Sequence, residues 1–330
     1  MSKQGIFVIS LDFELHWGSM DKVLLSEKVK QKLRNTSDIV SHKLALFQEN
    51  EIHATWATVG MLFNHSAQDW KKNKPHHSEK FYKNYKQHYN IENSTSFITN
   101  QDNKFLFAPV LINKIFNSVG QELGTHSYGH YCYFDLGSNI EEFKQDLIAA
   151  KKIASSYGFE VKSLVFPRNQ YDQDCLKICS DLGIANVRTN PTSWYWKVES
   201  GDSILKKIFR TIDNYNIFNL SKVYSLESIL EKNKKSTFCL PTSRIFKPWR
   251  KNSFLLNRLK IERIKREMTF AAKSKSYYHL WWHPENFGEH PVECMKELKK
   301  IVDHYNTLRN QYGFASYTMQ EAANHLSSFH

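Results

Sequence analysis

The chain has 330 residues, 41% hydrophobic and 14% aromatic, enough apolar mass for a large core and compatible with one α/β barrel domain of about 250 to 330 residues. A formal net charge of +12 suits an anionic partner, while five cysteines, an odd number without a CxxC spacing, argue against a secreted disulfide framework and read as reduced thiols. No apolar run approaches the ~18 residues of a membrane span, and the short stretch before Asp12 lacks the core of a secretory signal. The expectation is a cytoplasmic protein with, at most, peripheral contact at the inner face of the membrane.

In chain order, "GIFVIS" reads as a strand buried on both faces, and "SDIVSHKLALFQENE" as a helix with Ser37 as its N-cap. "IHATWATVGMLF" reads as the second strand. "NIEEFKQDLIAAKKIASSYG" is an amphipathic helix closed by Gly158, "VKSLVFP" a strand, "DQDCLKICSDLG" a helix ending at Gly183, and "IANVRT" a strand. Strands and helices alternate, which predicts a largely parallel sheet in a single domain over 1–330. Two stretches break the rhythm and are expected as insertions, at about 64–105 and 205–275. The first is polar and tyrosine-rich. The second contains a basic segment from Arg244 to Lys275, interleaved with Phe246, Trp249, Phe254 and Leu255. That segment reads either as a solvated helical face or as a surface for anionic lipid or a lipid-linked diphosphate. No nucleic-acid-binding motif accompanies the charge.

The chemistry concentrates in two places. In "SLDFELHWG", Asp12 and Glu14 stand two apart on an extended segment, so both point into one site at the strand's C-terminal end, where parallel α/β folds place their active sites. Two such carboxylates side by side are costly unless a cation or a proton separates their roles. In "ELGTHSYGHYCYFD", His126 and His130 are four apart and would share one face of a helical turn, a spacing that suits two ligands of one metal ion. A glutamate from elsewhere completes a two-histidine, one-carboxylate site for zinc or a similar divalent ion, with a position open for water. The same ligand set also describes a non-haem iron oxygenase, although those enzymes carry the carboxylate close to the first histidine.

The ordered motifs "SLDFE", "THSYGH", "FPRNQY" and "LWWHPE", spread from about residue 6 to residue 290, resemble those of the NodB-type polysaccharide deacetylases, the family-four carbohydrate esterases. The resemblance implies a distorted (β/α) barrel with a metal-dependent N-deacetylase site. It makes Asp12 the catalytic base, Glu14, His126 and His130 the metal ligands, Arg168 the guanidinium that pairs with the base, and His283 the general acid. The ion implied is divalent, zinc first, with cobalt and nickel as alternatives. Glu14 is longer than the family's usual metal aspartate, so the ion would sit displaced or be held more weakly. The family's fourth-motif aspartate, which tunes the acid histidine, has no counterpart, and Glu285 is the candidate substitute. His16, Trp17, Asn169, Tyr171 and Trp282 are the expected substrate contacts, the tryptophans by stacking on a sugar and the Asn169–Tyr171 backbone through an oxyanion hole. The function expected is N-deacetylation of an acetamido sugar in surface polysaccharide biosynthesis (O-antigen, capsule or lipid-linked glycan), on a nucleotide-linked or polyprenyl-diphosphate-linked precursor. A deformylase of a lipid-linked formamido sugar and a catalytically inactive glycan-binding barrel are the alternatives.

Overall fold

Strand β1 (Ile6–Phe13) is buried along its whole length, and its alternating side chains divide the molecule into two layers. Phe7, Ile9, Leu11 and Phe13 join the main apolar cluster with the surrounding helices. Ile6 and Val8 join a second cluster with Ala57, Val165, Leu240 and Tyr277 from other strands, which fills the inside of the curled sheet. Ser10 and Asp12 continue that inward row. A strand covered on both faces must be apolar nearly throughout, which accounts for the unbroken run in the sequence.

The structure is a computed structural model describing residues 4–20, 23, 25–75, 103–135, 137–198, 203–215, 222–233 and 237–329. Its further strands are β2 (Ala54–Thr58), β3 (Gln121–Thr125), β4 (Ser163–Val165), β5 (Asn186–Thr189), β6 (Phe238–Pro241), β7 (Arg244–Ile245), β8 (Tyr277–Trp282) and β9 (Ala315–Tyr317). They pair in the order β6-β5-β4-β3-β2-β1-β8-β7, with β9 added on β1. Every ladder is parallel. Only Thr242 and Ser243 separate β6 from β7. The Thr242 N–H donates to the Thr189 carbonyl and the Ser243 N–H to the His279 carbonyl, both at 2.9 Å. One stretch of chain thereby bridges β5 and β8 and brings the two edges of the sheet together, as a distorted barrel requires.

The helices lie where the periodicity placed them. Ile140–Ser156 starts at Asn139, whose side chain accepts from the Glu142 N–H at 3.0 Å, and Gln173–Asp181 starts at Asp172 in the same way. Gly158 and Gly183 follow their ends at φ 86° and 73°, the left-handed conformation that glycine adopts without strain. Ser37 is not an N-cap. It lies inside Thr36–Glu49, because a preceding helix, Glu27–Arg34, runs almost directly into this one through Asn35. All five cysteines are free thiols.

The expected insertions fare differently. The first begins with a short helix, Ala67–Asn73, and residues 76–102, with His76, His77 and His88, lie outside the described residues. The second stretch supplies framework: β6, β7, the helices Leu226–Lys232 and Phe254–Lys273, and part of Ile204–Asp213. Several of its basic residues turn inward. Arg244 makes a two-pronged bond to Glu267 at 2.7 and 2.8 Å, Arg263 pairs with Glu267 at 3.0 Å, and Lys260 pairs with Glu297 at 2.7 Å. Buried cations of this kind persist because anions face them, so the charge run is only partly a surface feature.

Candidate metal centre and active site

Asp12 ends the inward row of β1, and Arg188, inward on β5, reaches it across the barrel. The guanidinium donates to both carboxylate oxygens, Nη1 to Oδ1 at 2.5 Å and Nη2 to Oδ2 at 2.7 Å, and to Ser10 Oγ at 3.1 Å. Both residues are buried. Burial pushes the Asp12 carboxyl up, but the Arg188 charge and hydrogen bonds outweigh it and hold Asp12 below the usual carboxylate range. Asp12 is therefore ionised and fixed in direction.

Arg188 is held in turn. Asn169 Oδ1 accepts from Nη2 at 3.2 Å, and the Trp281 ring lies 4.3 Å from the guanidinium carbon, a cation–π stack. Behind it, Ser10 Oγ lies 2.8 Å from His279 Nε2, and His279 Nδ1 lies 2.9 Å from the Tyr277 hydroxyl. Burial keeps His279 well below its ordinary value and hence neutral. The Ser10 hydroxyl accepts from Arg188 and can donate to His279 Nε2, so a chain of hydrogen bonds supports the guanidinium from below.

Just past β1 the chain turns at Leu15 (φ 48°), which leaves Glu14 over Gly18 and facing the loop after β3. A Cβ at Gly18 would overlap the Glu14 carboxylate. Glu14 Oε2 lies 3.4 Å from His126 Nε2 and 3.2 Å from His130 Nε2, and Glu14 Oε1 lies 3.4 Å from His283 Nε2. The ligand atoms of Glu14, His126 and His130 fall within 4.8 Å of one another, and all three residues are buried. His126 Nδ1 is 2.7 Å from the Val165 carbonyl. A carbonyl only accepts, so Nδ1 carries the proton and Nε2 presents a lone pair to the carboxylate. Burial holds His130 below its ordinary value, which favours the neutral, ligating form. Burial also raises Glu14, but the charge of His283 and the contacts of His126 and His130 outweigh it, and the carboxyl sits well below its ordinary range. Glu14 Oε2 is buried with no hydrogen-bond donor among the described residues. An anionic oxygen facing a lone-pair nitrogen is unfavourable without a cation between them, and this donor set suits zinc or a related divalent ion. The residues present fit such an ion.

The two histidines do not share a helical turn. They lie on an irregular loop, ring centroids 5.1 Å apart, with Ser127 at φ 61° and His130 at φ 55°. Non-glycine residues hold that conformation only when their surroundings impose it. Here Asp146, buried on Ile140–Ser156, accepts from the Tyr128 and Gly129 N–H groups at 2.7 and 2.9 Å, and Ser127 Oγ accepts from the Tyr131 N–H at 2.7 Å.

His283 follows β8 and stands at the mouth, its side chain 23% exposed, with Nε2 3.9 Å from Asp12 Oδ2. Its Nδ1 is buried without a hydrogen-bond partner among the described residues, and so is Glu285 Oε2. Glu285, the expected partner of His283, is therefore not hydrogen-bonded to its Nδ1. Its burial, followed by the Glu14 charge, pushes its carboxyl well up.

Sequence reasoning placed Arg168 on the base, but its guanidinium pairs with Asp135 at 3.1 Å. The neighbouring Asn169 reaches Arg188 instead. The Asn169 and Gln170 N–H groups, expected at an oxyanion, donate to the Phe166 and Pro167 carbonyls, and Tyr171 stacks on Phe166 at 4.9 Å. Trp17 is core, its Nε1 donating to the Leu106 carbonyl at 2.5 Å. Trp282 faces outward and stacks on Phe287 at 6.3 Å, so the inward neighbour Trp281 is the indole at the site. His16 is buried with neither ring nitrogen partnered among the described residues, and burial lowers its pKa to about 4. The turn at Leu15 breaks the alternation that would have aligned it with Asp12.

A curled parallel sheet with this cluster at its strand ends has the fold of the polysaccharide deacetylases. A crystal structure assigned to that class from Mycobacterium smegmatis superposes with a TM-score of 0.60 at 11% identity, covering 99% of this chain and 92% of the other. One from Pseudomonas aeruginosa gives 0.58 at 10% identity, covering 98% and 91%. A GH57-type branching enzyme from Pyrococcus horikoshii also matches, at 0.53 and 11% identity over 100% and 71%. The sequence itself matches no protein-family model and no curated protein. Because more than one chemistry uses this fold, the site must decide the function.

Proposed function

We propose that the protein is a metal-dependent amidohydrolase that removes the acetyl group from an acetamido sugar. The observation that carries this reading is the convergence of Glu14, His126 and His130 beside an Asp12 carboxylate locked by Arg188. A bound divalent ion, zinc first and cobalt or nickel as alternatives, supplies Lewis acidity to the amide carbonyl and to the attacking water. Asp12, ionised and oriented, takes the proton from that water as it adds to the carbonyl carbon. His283, within 3.4 Å of Glu14 and partly open to solvent, delivers a proton to the nitrogen as the C–N bond breaks, and the products are a carboxylate and a free amine. Trp281 forms the apolar wall beside them. A two-carboxylate glycosidase centre, the alternative the fold admits, needs one carboxyl raised in pKa to serve as acid. Asp12 is held as an ionised group by the two-pronged Arg188 bond and Glu14 faces two imidazoles, so neither is placed as a carboxylic acid, which favours the amidohydrolase.

The substrate proposed is an acetamido sugar on a nucleotide or polyprenyl-diphosphate carrier, used in surface polysaccharide assembly at the inner face of the membrane. The net charge of +12 supports an anionic carrier. The test is release of amine together with acetate or formate from nucleotide-linked and lipid-linked sugars, comparing wild type with Asp12→Asn. Loss of about 10²–10⁴-fold in the variant is expected for removal of a general base. Equal release by both proteins contradicts the assignment, and formate as the only acid released points to the deformylase.

A further inference from the structure

The helix Ile204–Asp213 is amphipathic with its faces reversed. Three of its polar residues turn to the protein, while Lys207 and Thr211 stay exposed: Lys206 Nζ donates to the Lys197 carbonyl at 2.9 Å, Arg210 Nε to the Tyr195 carbonyl at 2.6 Å, and Asp213 is buried against Lys222 and Arg244. Four of its five apolar residues, Ile204, Leu205, Ile208 and Ile212, form one stripe at helical spacing and face outward, with Ile204 76% and Ile212 57% exposed, while Phe209 packs edge-on against Trp194. A surface helix ordinarily does the opposite.

A second exposed apolar tip belongs to another helix. The helix Phe254–Lys273 begins after the C-terminal end of β7, so its first turn stands on the same end of the barrel as Asp12 and His283. Phe254 is 81% and Leu255 64% exposed, and Arg250, Lys251 and Arg258 around them are exposed cations. Lys247 links the two elements. Its Nζ lies 5.8 Å from the ring of Tyr215, just past the first helix, and its carbonyl accepts from Lys260 of the second at 2.9 Å.

We propose that these two elements form an interfacial docking surface for a bilayer carrying anionic lipid, which sets the mouth of the site against the membrane. Apolar side chains rimmed by lysine and arginine are what the headgroup boundary of such a bilayer accepts: the chains enter the acyl edge and the cations meet phosphates. Charge complementarity selects this occupant over a second copy of the chain, whose surface would repeat the same positive rim. Among the described residues no helix is long and apolar enough to cross a membrane, and the contact proposed is at the interface. The proposal deepens the lipid-linked branch of the reading above, and vesicle binding is read independently of amine release.

The experiment is flotation of the full chain with phosphatidylglycerol-containing vesicles and with pure phosphatidylcholine vesicles, at low and high salt. Wild type floats with the anionic vesicles, and salt weakens the binding. Ile208→Asp/Ile212→Asp and, separately, Arg250→Glu/Lys251→Glu lower the bound fraction by about tenfold or more, while circular dichroism and amine release from a water-soluble acetamido sugar stay at wild-type levels. Wild type that fails to float, variants that float equally, or a concentration-dependent dimer abolished by the isoleucine pair without lipid would each overturn the proposal. If the surface binds vesicles and no amine is released from any sugar, the docking surface stands and the deacetylase reading falls.

Discussion

Replacing Arg188 with methionine separates the structural account from the motif-based expectation. Arg188 and Asp12 form a two-pronged pair at 2.5 and 2.7 Å, with side chains 0% and 4% exposed. Removing the cation leaves an uncompensated buried carboxylate, a change of about 3–5 kcal/mol in stability for a buried pair. Arg168 pairs with Asp135 at 3.1 Å, with side chains 21% and 23% exposed, and its loss is worth about 0–1 kcal/mol. The pH dependence has a definite sign. In wild type the lowered Asp12 pKa contributes stability above the unfolded-state value that is lost as pH falls through the folded-state value. Without Arg188 burial loses its main opponent and only the charges of His126 and His283 still act against it, so the folded-state pKa rises and the stability lost on acidification shrinks. The gap between wild type and Arg188→Met must therefore narrow on acidification. Urea melts at several pH values measure this gap. The acid limb of kcat/KM must also move to higher pH, because the base protonates more readily. A larger loss of stability and activity in Arg168→Met than in Arg188→Met would refute the reasoning.

Gly18→Ala should displace Glu14, since the added methyl overlaps its carboxylate; bound metal and turnover fall together, as metal analysis and amine release would show. Asp146→Ala removes the acceptor for the buried Tyr128 and Gly129 N–H groups and should weaken metal affinity by about 10–100-fold, as loss of a supporting group does, measured by competition with a chelating dye. Ser10→Ala leaves His279 Nε2 without its hydroxyl partner and should lose about 1–3 kcal/mol in a denaturant melt, with turnover less affected because the two-pronged Arg188–Asp12 bond remains.

Periodicity and glycine placement made the barrel legible: the helix ends at Gly158 and Gly183 and the doubly buried run at β1 follow from local rules. The cluster of Glu14, His126 and His130 beside Asp12 was legible too, because the two carboxylates sit at a strand end and the histidines lie in one short loop. Arg188 was harder. Its only signal in one dimension is that it stands inward near the end of β5, level with Asp12 across a barrel whose closure no local pattern reveals. The adjacent arginine in "FPRNQY" drew the assignment, whereas the turn there, with Arg168 and Asn169 at φ 53° and 54°, presents Asn169 to the site. Parity on β8 likewise decides between Trp281 and Trp282, and it depends on where the strand starts. The loop of His126 and His130 reads as a helical turn by spacing alone, because its backbone is set by Asp146 from the following helix. The stretch 205–275 looked inserted because its charges are paired with residues distant in sequence.

The central claim is that Glu14, His126 and His130 hold one divalent ion next to a base that does not ligate it. Metal content per chain, measured by mass spectrometry on wild type, His126→Ala/His130→Ala and Asp12→Asn after equilibration with zinc, tests this most directly. The account predicts a bound ion in wild type and in Asp12→Asn and none in the double histidine variant. Zinc retained by the histidine variant, or lost from Asp12→Asn with its fold intact, would contradict it.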